Sequence, residues 1–360
     1  MLSYPDKWDR QTILAHQPPG SIRPLQTNPS PAGTLFWGDN FPVLQHLRAT
    51  HSGQIDLIYI DPPFATGREF VDRDQTHAYS DAWEDYRYLE FLRRRIILMR
   101  ELLSDRGSLY LHIDKKVGHY VKLILDEVFG ADQFINDITR IKCNPKNFAR
   151  KAYGNFSDML LFYAKNRDQQ IWNPQREALD EEAMSRLFPR TDPERGAYTT
   201  HPLHAPGETL DGDTGQPWRG MMPPQGRHWR YARAVLDKLD AAGLIEWSTT
   251  GNPRKKVFAA DHPGKKIQDV WTFKDKGQRY VSYPTAKNPA MLARIIAQSS
   301  DADSIVLDAF AGSGTTLLTA QGLNRQWIGI DASPQSQKVI SAAMMEQDIP
   351  HAVYSWESAS

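Results

Sequence analysis

Between Thr34 and Phe129 the apolar residues alternate between two rhythms. Short, almost unbroken apolar runs occur in TLFWGDN from residue 34, IDLIYID at 55–61 and SLYLHID at 108–114, each bounded by turn-forming residues. Runs of this kind mark strands buried on both faces of a parallel sheet. Between the second and third runs, Leu89, Leu92, Ile96, Met99 and Leu103 recur at spacings of 3, 4, 3 and 4. That spacing draws one apolar stripe on a helix and predicts a helix over residues 86–105, with Gly107 just past its end as a left-handed cap. A second helix is predicted from Lys116 to Phe129, closed by Gly130. Over residues 140–280 the rhythm lapses into a Pro-, Gly-, Trp- and Arg-rich texture in which only Arg230 to Gly243 reads clearly as a helix. After Pro284 the alternation returns: a helix at Met291 to Ser299, a strand in SIVLDAF, a helix after Gly314 and a strand in QWIGID at 326–331.

Strands and helices alternating on both sides of an irregular middle predict an α/β fold. The expected architecture is a doubly wound, mostly parallel, Rossmann-like sheet built from both ends of the chain, with an inserted module. The expected organisation is a Pro-, Gln-, Asn- and Ser-rich arm at 1–33, one domain formed by 34–139 and 281–345, the module at 140–280 and a tail at 346–360.

Composition narrows the class. Apolar residues make up 40% and charged residues 24% of the 360, which is ordinary for a globular protein with a real core. No apolar run reaches bilayer length and MLSYPDKWDR lacks an apolar signal core, so a cytoplasmic protein with no membrane partner is expected. One cysteine, Cys143, excludes an intramolecular disulfide and a multi-Cys zinc cluster, and no metal site is expected. Net charge is zero, which by itself argues against a nucleic-acid partner. Residues 140–279, however, hold 24 Lys and Arg against 17 Asp and Glu, and the remainder 19 against 26. A basic middle beside an acidic body suits a phosphate-binding footprint.

Two motifs carry chemistry. In VLDAFAGSGTT at 306–316, a strand ends at Asp308 and a tight turn with Gly312 and Gly314 leads into a helix. Such turns let a ligand approach the main chain at the carboxyl edge of a sheet. The absence of G-x-G-x-x-G and of a Gly-Lys-Thr loop disfavours dinucleotides and nucleoside triphosphates. Asp331, ending the next strand, is placed either to bind a ribose diol or to cap a helix. In IYIDPPFATG at 58–67, Asp61-Pro62-Pro63-Phe64 follows a buried strand directly. The prolines remove two donors and fix the chain direction. A carboxylate, the Pro62 carbonyl and an aromatic face remain. Two acceptors suit an amino group on a planar base: they favour a tetrahedral nitrogen with its lone pair exposed and stabilise the positive charge that develops there. A Pro-Pro turn with Asp61 as a strand-end cap is the structural alternative. Gly38-Asp39-Asn40 ends the first ordered strand, where Asp39 either binds part of a nucleoside cofactor or simply makes the turn.

With Asp61-Pro62-Pro63-Phe64 first, a basic middle next and Asp308-Ala309-Phe310-Ala311-Gly312-Ser313-Gly314 last, the chain resembles the beta-subclass DNA amino-methyltransferases, adenine-specific through their D-P-P-[YF] motif. LHIDKKVGHYVKLILDEVFGADQFINDI, DMLLFYAKN and the stretch from Trp218 to Trp271 resemble the modification (Mod) subunits of type III restriction systems and their solitary relatives. The resemblance spans about residues 34–340. It implies S-adenosylmethionine as cofactor, double-stranded DNA as substrate, methyl transfer to the exocyclic amino group of adenine, and a middle module that recognises the target. It implies catalytic roles for Asp61, Pro62, Pro63 and Phe64. A cofactor pocket is implied for Asp39, Asn40, Asp308, Phe310, Ala311, Gly312, Ser313, Gly314, Thr315 and Asp331. From YPTAKNPAMLARII at 283–296, Thr285 and Lys287 join it. A homodimer and a cognate restriction subunit are further partners seen among such relatives. Phe64 and Ala65 stand where the family more often has Tyr and Asn, and Ala309 replaces a frequent Pro.

The basic candidates for DNA contact are Lys142, Lys146, Arg150 and Lys151, then Arg227, Arg230 and Arg233 near the predicted helix, then the run Arg254-Lys255-Lys256. Each would either hold phosphates and base edges or form solvated surface. Rival readings keep the fold and change the acceptor to a cytosine amino group, RNA or a protein side chain. Others make the chain a catalytically silent DNA-binding subunit or a nicotinamide oxidoreductase.

Overall fold

The apolar runs that lack alternation become the middle of a ten-stranded sheet. The structure is a computed structural model that describes residues 2–63, 86–143, 151–274 and 287–359. Its chain divides into two units, residues 1–175 with 268–360, and residues 176–267.

In the first unit the strands are β1 (Gly20–Gln26), β2 (Gly33–Trp37), β3 (Ile55–Ile60), β4 (Leu103–Ile113), β5 (Phe134–Ile141), β6 (Ser157–Ala164), β7 (Val270–Thr272), β8 (Ile305–Asp308), β9 (Gln326–Asp331) and β10 (His351–Ser358). Their order across the sheet is β1-β10-β2-β9-β8-β3-β4-β6-β5-β7. The six strands from β10 to β4 run parallel, β1 and β6 run against them, and β5 and β7 pair in parallel.

The helices are α1 (Arg10–Ala15), α2 (Asn40–His51), α3 (Tyr86–Leu102), α4 (Gly118–Phe129), α5 (Pro289–Ser299), α6 (Thr315–Gly322) and α7 (Pro334–Glu346). Their starts are legible locally. Asn288 and Ser333 cap α5 and α7 with a proline at the first helical turn, and Asp39 caps α2 by accepting from the Phe41 N–H at 2.8 Å. Side chains alternate across a strand. Ile58, Ile60, Leu109, Leu111 and Ile113 enter one core with Val43, Leu44 and Leu47 of α2, Leu92, Ile96 and Met99 of α3 and Val121 and Leu125 of α4. Tyr110 points the other way, its hydroxyl 2.9 Å from Ser299 Oγ of α5. Helices thus cover both faces, which is why β3 and β6 carry so little polarity.

Several sequence expectations are corrected. The 1–33 arm is not loose: Ile13 of α1 is fully buried, and β1 is an edge strand antiparallel to β10. Tyr4 Oη and the Trp8 N–H donate to the buried Glu90 carboxylate, and Arg93 donates to the Trp8 carbonyl at 2.8 Å, tying the arm to α3. The 346–360 tail contains β10, which is inserted between β1 and β2. Helix α3 ends at Leu102, so Leu103 opens β4 and Gly107 lies inside that strand at a register shift, not at a helix cap. A side chain at Gly107 would sit 2.8 Å from the Ile55 carbonyl, which explains the glycine. The inserted module is 176–267, not 140–280, because β5, β6 and β7 complete the sheet.

The second unit is built on a four-stranded antiparallel sheet in the order Ile245–Trp247, Pro253–Phe258, Gly196–Pro202, Arg190–Asp192. The helix Arg233–Ala241 joins a small core of Leu203, Trp218, Trp229 and Leu236. Among the described residues no helix is long and apolar enough to cross a membrane.

Candidate active site

Parallel strands β8 and β3 pair directly, with Val306 opposite Leu57 and Leu307 opposite Ile58. From β8 the chain proceeds through α6 to β9 on one side; from β3 it proceeds through α3 to β4 on the other. Divergence of this kind opens a crevice at the carboxyl ends of the two strands, the usual ligand position in open α/β sheets. The two motifs read from the sequence meet there.

On the β8 side the turn is fixed by carboxylates. Asp308 is buried and accepts from the Phe310 N–H at 3.0 Å. Asp331 accepts from the Gly312 N–H and the Ser333 N–H, each at 2.8 Å. Gly312 and Gly314 lie at φ of 52° and 76°, where any other residue would be strained. The Gly314 N–H donates to the Ala311 carbonyl at 2.7 Å, and Ser313 Oγ lies 2.8 Å from Thr315 Oγ1. Ala311, Ser313 and Thr315 are buried in the turn, and Phe310 packs against the core, 6.3 Å from Phe91. Asn40 Nδ2 donates to the Ala309 carbonyl at 2.7 Å, and Asn40 accepts in turn from Arg95, which also donates to Asp39 at 2.7 Å. Asp39 therefore makes the turn and caps α2, while its side chain stays more than half exposed beside the loop.

On the β3 side, Lys287 Nζ donates to Asp61 Oδ2 at 2.5 Å. Lys287, for which the family resemblance implies a place in the cofactor pocket, thus reaches the Asp-Pro-Pro carboxylate. Asp61 Oδ1 is buried and has no hydrogen-bond partner among the described residues; His112 Nδ1 lies 3.5 Å away. Pro62 is buried and Pro63 half-buried. Phe64 and Thr285 lie outside the described residues.

Electrostatically the crevice is acidic. Burial pushes the Asp308 carboxyl up to about 7 against the hydrogen bonds from Thr316 and Phe310, and Asp61 and Asp331 push the same way. Burial also raises Asp331, opposed by its backbone donors. Tyr88 on α3 has a buried hydroxyl without a hydrogen-bond partner among the described residues, its pKa raised by burial and by Asp114 and Asp61. Behind Asp61, His112, Asp158, Arg140 and Tyr59 form a buried polar chain. None of these was singled out from the sequence, although a His inside SLYLHID and an Asp opening DMLLFYA are polar breaks in otherwise apolar strands.

The basic candidates divide. Lys142 is not a surface cation: it donates to the buried Asp158 at 2.6 Å. Lys151 is exposed, and Lys146 and Arg150 lie outside the described residues. In the second unit Lys256 pairs with Asp192 at 3.0 Å, Arg254 donates to Thr200 and Lys255 lies over the Tyr231 ring. Arg233 pairs with Asp213 at 2.6 Å. Arg227 and Arg230 are exposed beside His204, whose pKa is lowered by partial burial and by Arg227, Arg230 and Arg254. Arg227, Arg230 and Arg254 therefore cluster around His204.

Residues 55–342 match the DNA methylase family. The chain is 41% identical over 348 residues to the type II methyltransferase M.EcaI of Enterobacter cloacae, covering 94% of this chain and 76% of that protein. It is 27% identical over 349 residues to the StyLTI Mod subunit of Salmonella typhimurium, covering 84% of this chain but only 52% of that protein. Among solved structures, the PvuII DNA methyltransferase, described as cytosine-N4-specific, is 12% identical with a TM-score of 0.50, covering 93% of this chain and 98% of that one; it supports the fold.

Proposed function

We propose that this chain, which belongs to the DNA methylase family, transfers a methyl group from S-adenosylmethionine to the exocyclic amino group of adenine in duplex DNA. The observation that carries the reading is Asp61 Oδ1: a buried carboxylate oxygen with no described donor, at the carboxyl edge where β3 and β8 diverge. Leaving a buried acceptor unsatisfied is costly, and sites that do so are commonly completed by a substrate.

The residues present fit the cofactor. Burial, with smaller contributions from Asp61 and Asp331, raises the Asp308 carboxyl to about 7, and a cationic sulfonium would be favoured beside these carboxylates. Asp39, Asn40, Asp331 and the turn from Phe310 to Thr315 would hold it, with Lys287 contributing through Asp61. When bound, S-adenosylmethionine supplies an electrophilic methyl group. The protein's part is to present the nucleophile. Asp61 Oδ1 and the Pro62 carbonyl each accept one amine hydrogen, turning the nitrogen lone pair toward the donor and stabilising the charge that develops on nitrogen. Phe64 stacks on the base. The base must leave the helix to reach this edge, because its amine is otherwise paired, at a cost of a few kcal/mol.

Asp rather than Ser at position 61 supports adenine over cytosine. The arginine patch around His204 in the second unit supports phosphate contact there, with Arg227 and Arg230 the leading candidates, Arg254 and Lys256 engaged within their own sheet and Lys255 over the Tyr231 ring. A restriction subunit as partner and a cytoplasmic site of action belong to the same reading.

The test is transfer of labelled methyl from S-adenosylmethionine to duplex DNA by wild type and Asp61→Ala, followed by digestion to nucleosides. Label in methyldeoxyadenosine, lost by at least a hundredfold in Asp61→Ala at saturating cofactor, is expected, on the order of one preorganised polar contact to developing charge. Equal rates would remove Asp61 from the chemistry, and label in cytidine would replace the base.

A further inference from the structure

The buried polar chain behind Asp61 has an order of protons that its donors and acceptors dictate. Asp158, on β6, is 2% exposed. Lys142 donates to its Oδ1 at 2.6 Å, and Arg140 on β5 lies 3.5 Å from its Oδ2. Burial pushes this carboxyl up, but hydrogen bonds from His112 and Lys142 outweigh it and hold the pKa at about 2. Asp158 is therefore a carboxylate, and a carboxylate only accepts. His112 Nε2, 3.3 Å from Asp158 Oδ2, must carry a hydrogen to bond it.

At the other end of the ring, Nδ1 lies 3.1 Å from the hydroxyl of Tyr59. Tyr59 is buried, and burial together with Asp61 and Asp308 raises its pKa far above the ordinary value, so its hydroxyl keeps its hydrogen. With Nε2 protonated and the ring neutral, Nδ1 is a lone pair, and Tyr59 donates into it. The ring is neutral at pH 7 because burial lowers its pKa, and Lys287 and Arg140 lower it further, against Asp158 and Asp61, which raise it. These groups, with Tyr59, face the imidazole among the described residues, from β3, β5, β6 and the segment before α5.

The consequence falls on Asp61. Its Oδ1 is 3.5 Å from Nδ1, yet Nδ1 has no hydrogen to give, so that oxygen receives nothing from the imidazole. We propose that His112, locked as the neutral Nε2–H tautomer between Tyr59 and Asp158, is a positioning residue that keeps Oδ1 of Asp61 open for the substrate amine. A proton on Nδ1 would make the imidazole a competitor for that oxygen. The inference rests on the reading of Asp61 as the amine acceptor, and it adds a residue and a protonation state to that reading.

The test has a spectroscopic and a kinetic arm. In protein labelled with nitrogen-15 at histidine, long-range proton–nitrogen correlation reports which ring nitrogen carries hydrogen, with His112→Gln assigning the signals. Hydrogen on Nε2 and a bare Nδ1 at pH 8 are expected, with Nδ1 protonated only on the acid side of the ordinary imidazole range. Tyr59→Phe removes the donor that occupies Nδ1. Its acid limb in single-turnover rate should move to higher pH, and its rate below pH 7 should fall about tenfold, the weight of one hydrogen bond. Affinity for S-adenosylhomocysteine should be unchanged, which a merely structural role for Tyr59 would not predict. His112→Gln, having no proton to gain, should lose the part of the acid limb due to the imidazole. An Nδ1–H tautomer at pH 8, or a Tyr59→Phe pH profile superimposed on wild type while Asp61→Ala is inactive, overturns the role of His112 alone. An Asp61→Ala enzyme with wild-type rate overturns the amine-acceptor reading and this role with it.

Discussion

Asp308→Asn isolates the electrostatic cost of the acidic crevice. In the cofactor-free protein the Asp308 carboxyl is buried and titrates at about 7 instead of its ordinary 3.8. The folded state therefore holds a proton that the unfolded chain has already released between those two values. Stability falls as pH rises wherever the folded state binds more protons, at 1.36 kcal/mol per unit. The penalty is absent below pH 4, grows through the window and is complete just above pH 7, where it amounts to about 4 kcal/mol. Asparagine keeps the shape and an oxygen that can accept from the Phe310 N–H and Thr316, but it cannot ionise. The stability of Asp308→Asn relative to wild type should therefore rise by about 4 kcal/mol between pH 4 and pH 8. Urea unfolding of both proteins without ligand, at half-unit pH steps, measures it. The difference across pH is the quantity to read, because any fixed cost of the substitution cancels. Parallel curves from pH 4 to 8 would refute the claim that burial holds Asp308 protonated. The same variant should also weaken the pH dependence of affinity for S-adenosylmethionine more than for S-adenosylhomocysteine, since the two differ by the sulfonium charge.

Two further outcomes follow from local geometry. Gly314→Ala places a Cβ 2.7 Å from Ile340 Cγ1 at a φ of 76°; a loss of roughly 1–3 kcal/mol in unfolding free energy and weaker cofactor binding are expected, and a wild-type denaturation midpoint would contradict both. Replacing Arg227 and Arg230 together by alanine should reduce the salt dependence of DNA binding by about two ion equivalents while leaving single-turnover methylation at saturating DNA unchanged; an unaltered slope of log affinity against log salt would return both to solvated surface.

What the sequence made legible was the middle of the sheet and the two turns at its edge. Ile55–Ile60, Ile305–Asp308 and Gln326–Asp331 are buried on both faces, so their lack of alternation is itself the signal, and each ends where a polar turn begins. What it hid was structure held by relations between distant residues. Gly20–Gln26 is mostly exposed and carries a proline, so nothing in its own pattern distinguishes it from a loop; its strand character comes from pairing with His351–Ser358. The same holds for Lys142. As a cation among other cations it reads as a phosphate contact, and only the fold places it on Asp158, which the sequence presents as one acidic residue ahead of an apolar run. The alternating Val353, Tyr354, Ser355 and Trp356 are the one local sign of a strand in the C-terminal segment.

The order of the motifs along the chain matters less than their adjacency in the sheet. Strands β8 and β3 come from opposite ends of the sequence, yet each is buried on both faces and flanked by parallel neighbours, so their edge-to-edge register is set by packing and not by a connecting loop. Any chain order that preserves that pairing delivers Asp308 and Asp61 to the same edge. The requirement falls instead on the sheet beyond β9, where β2 would otherwise present an open row of backbone donors and acceptors next to the turn that Asp39 and Asn40 build. Strand β10 covers β2 in parallel, and β1 covers β10 in antiparallel, with an exposed, proline-bearing face outward that discourages further pairing. The segments with the least chemistry in the sequence, Gly20–Gln26 and His351–Ser358, thus protect the side of the sheet from which Asn40 reaches the Ala309 carbonyl and holds the Gly-rich turn in place.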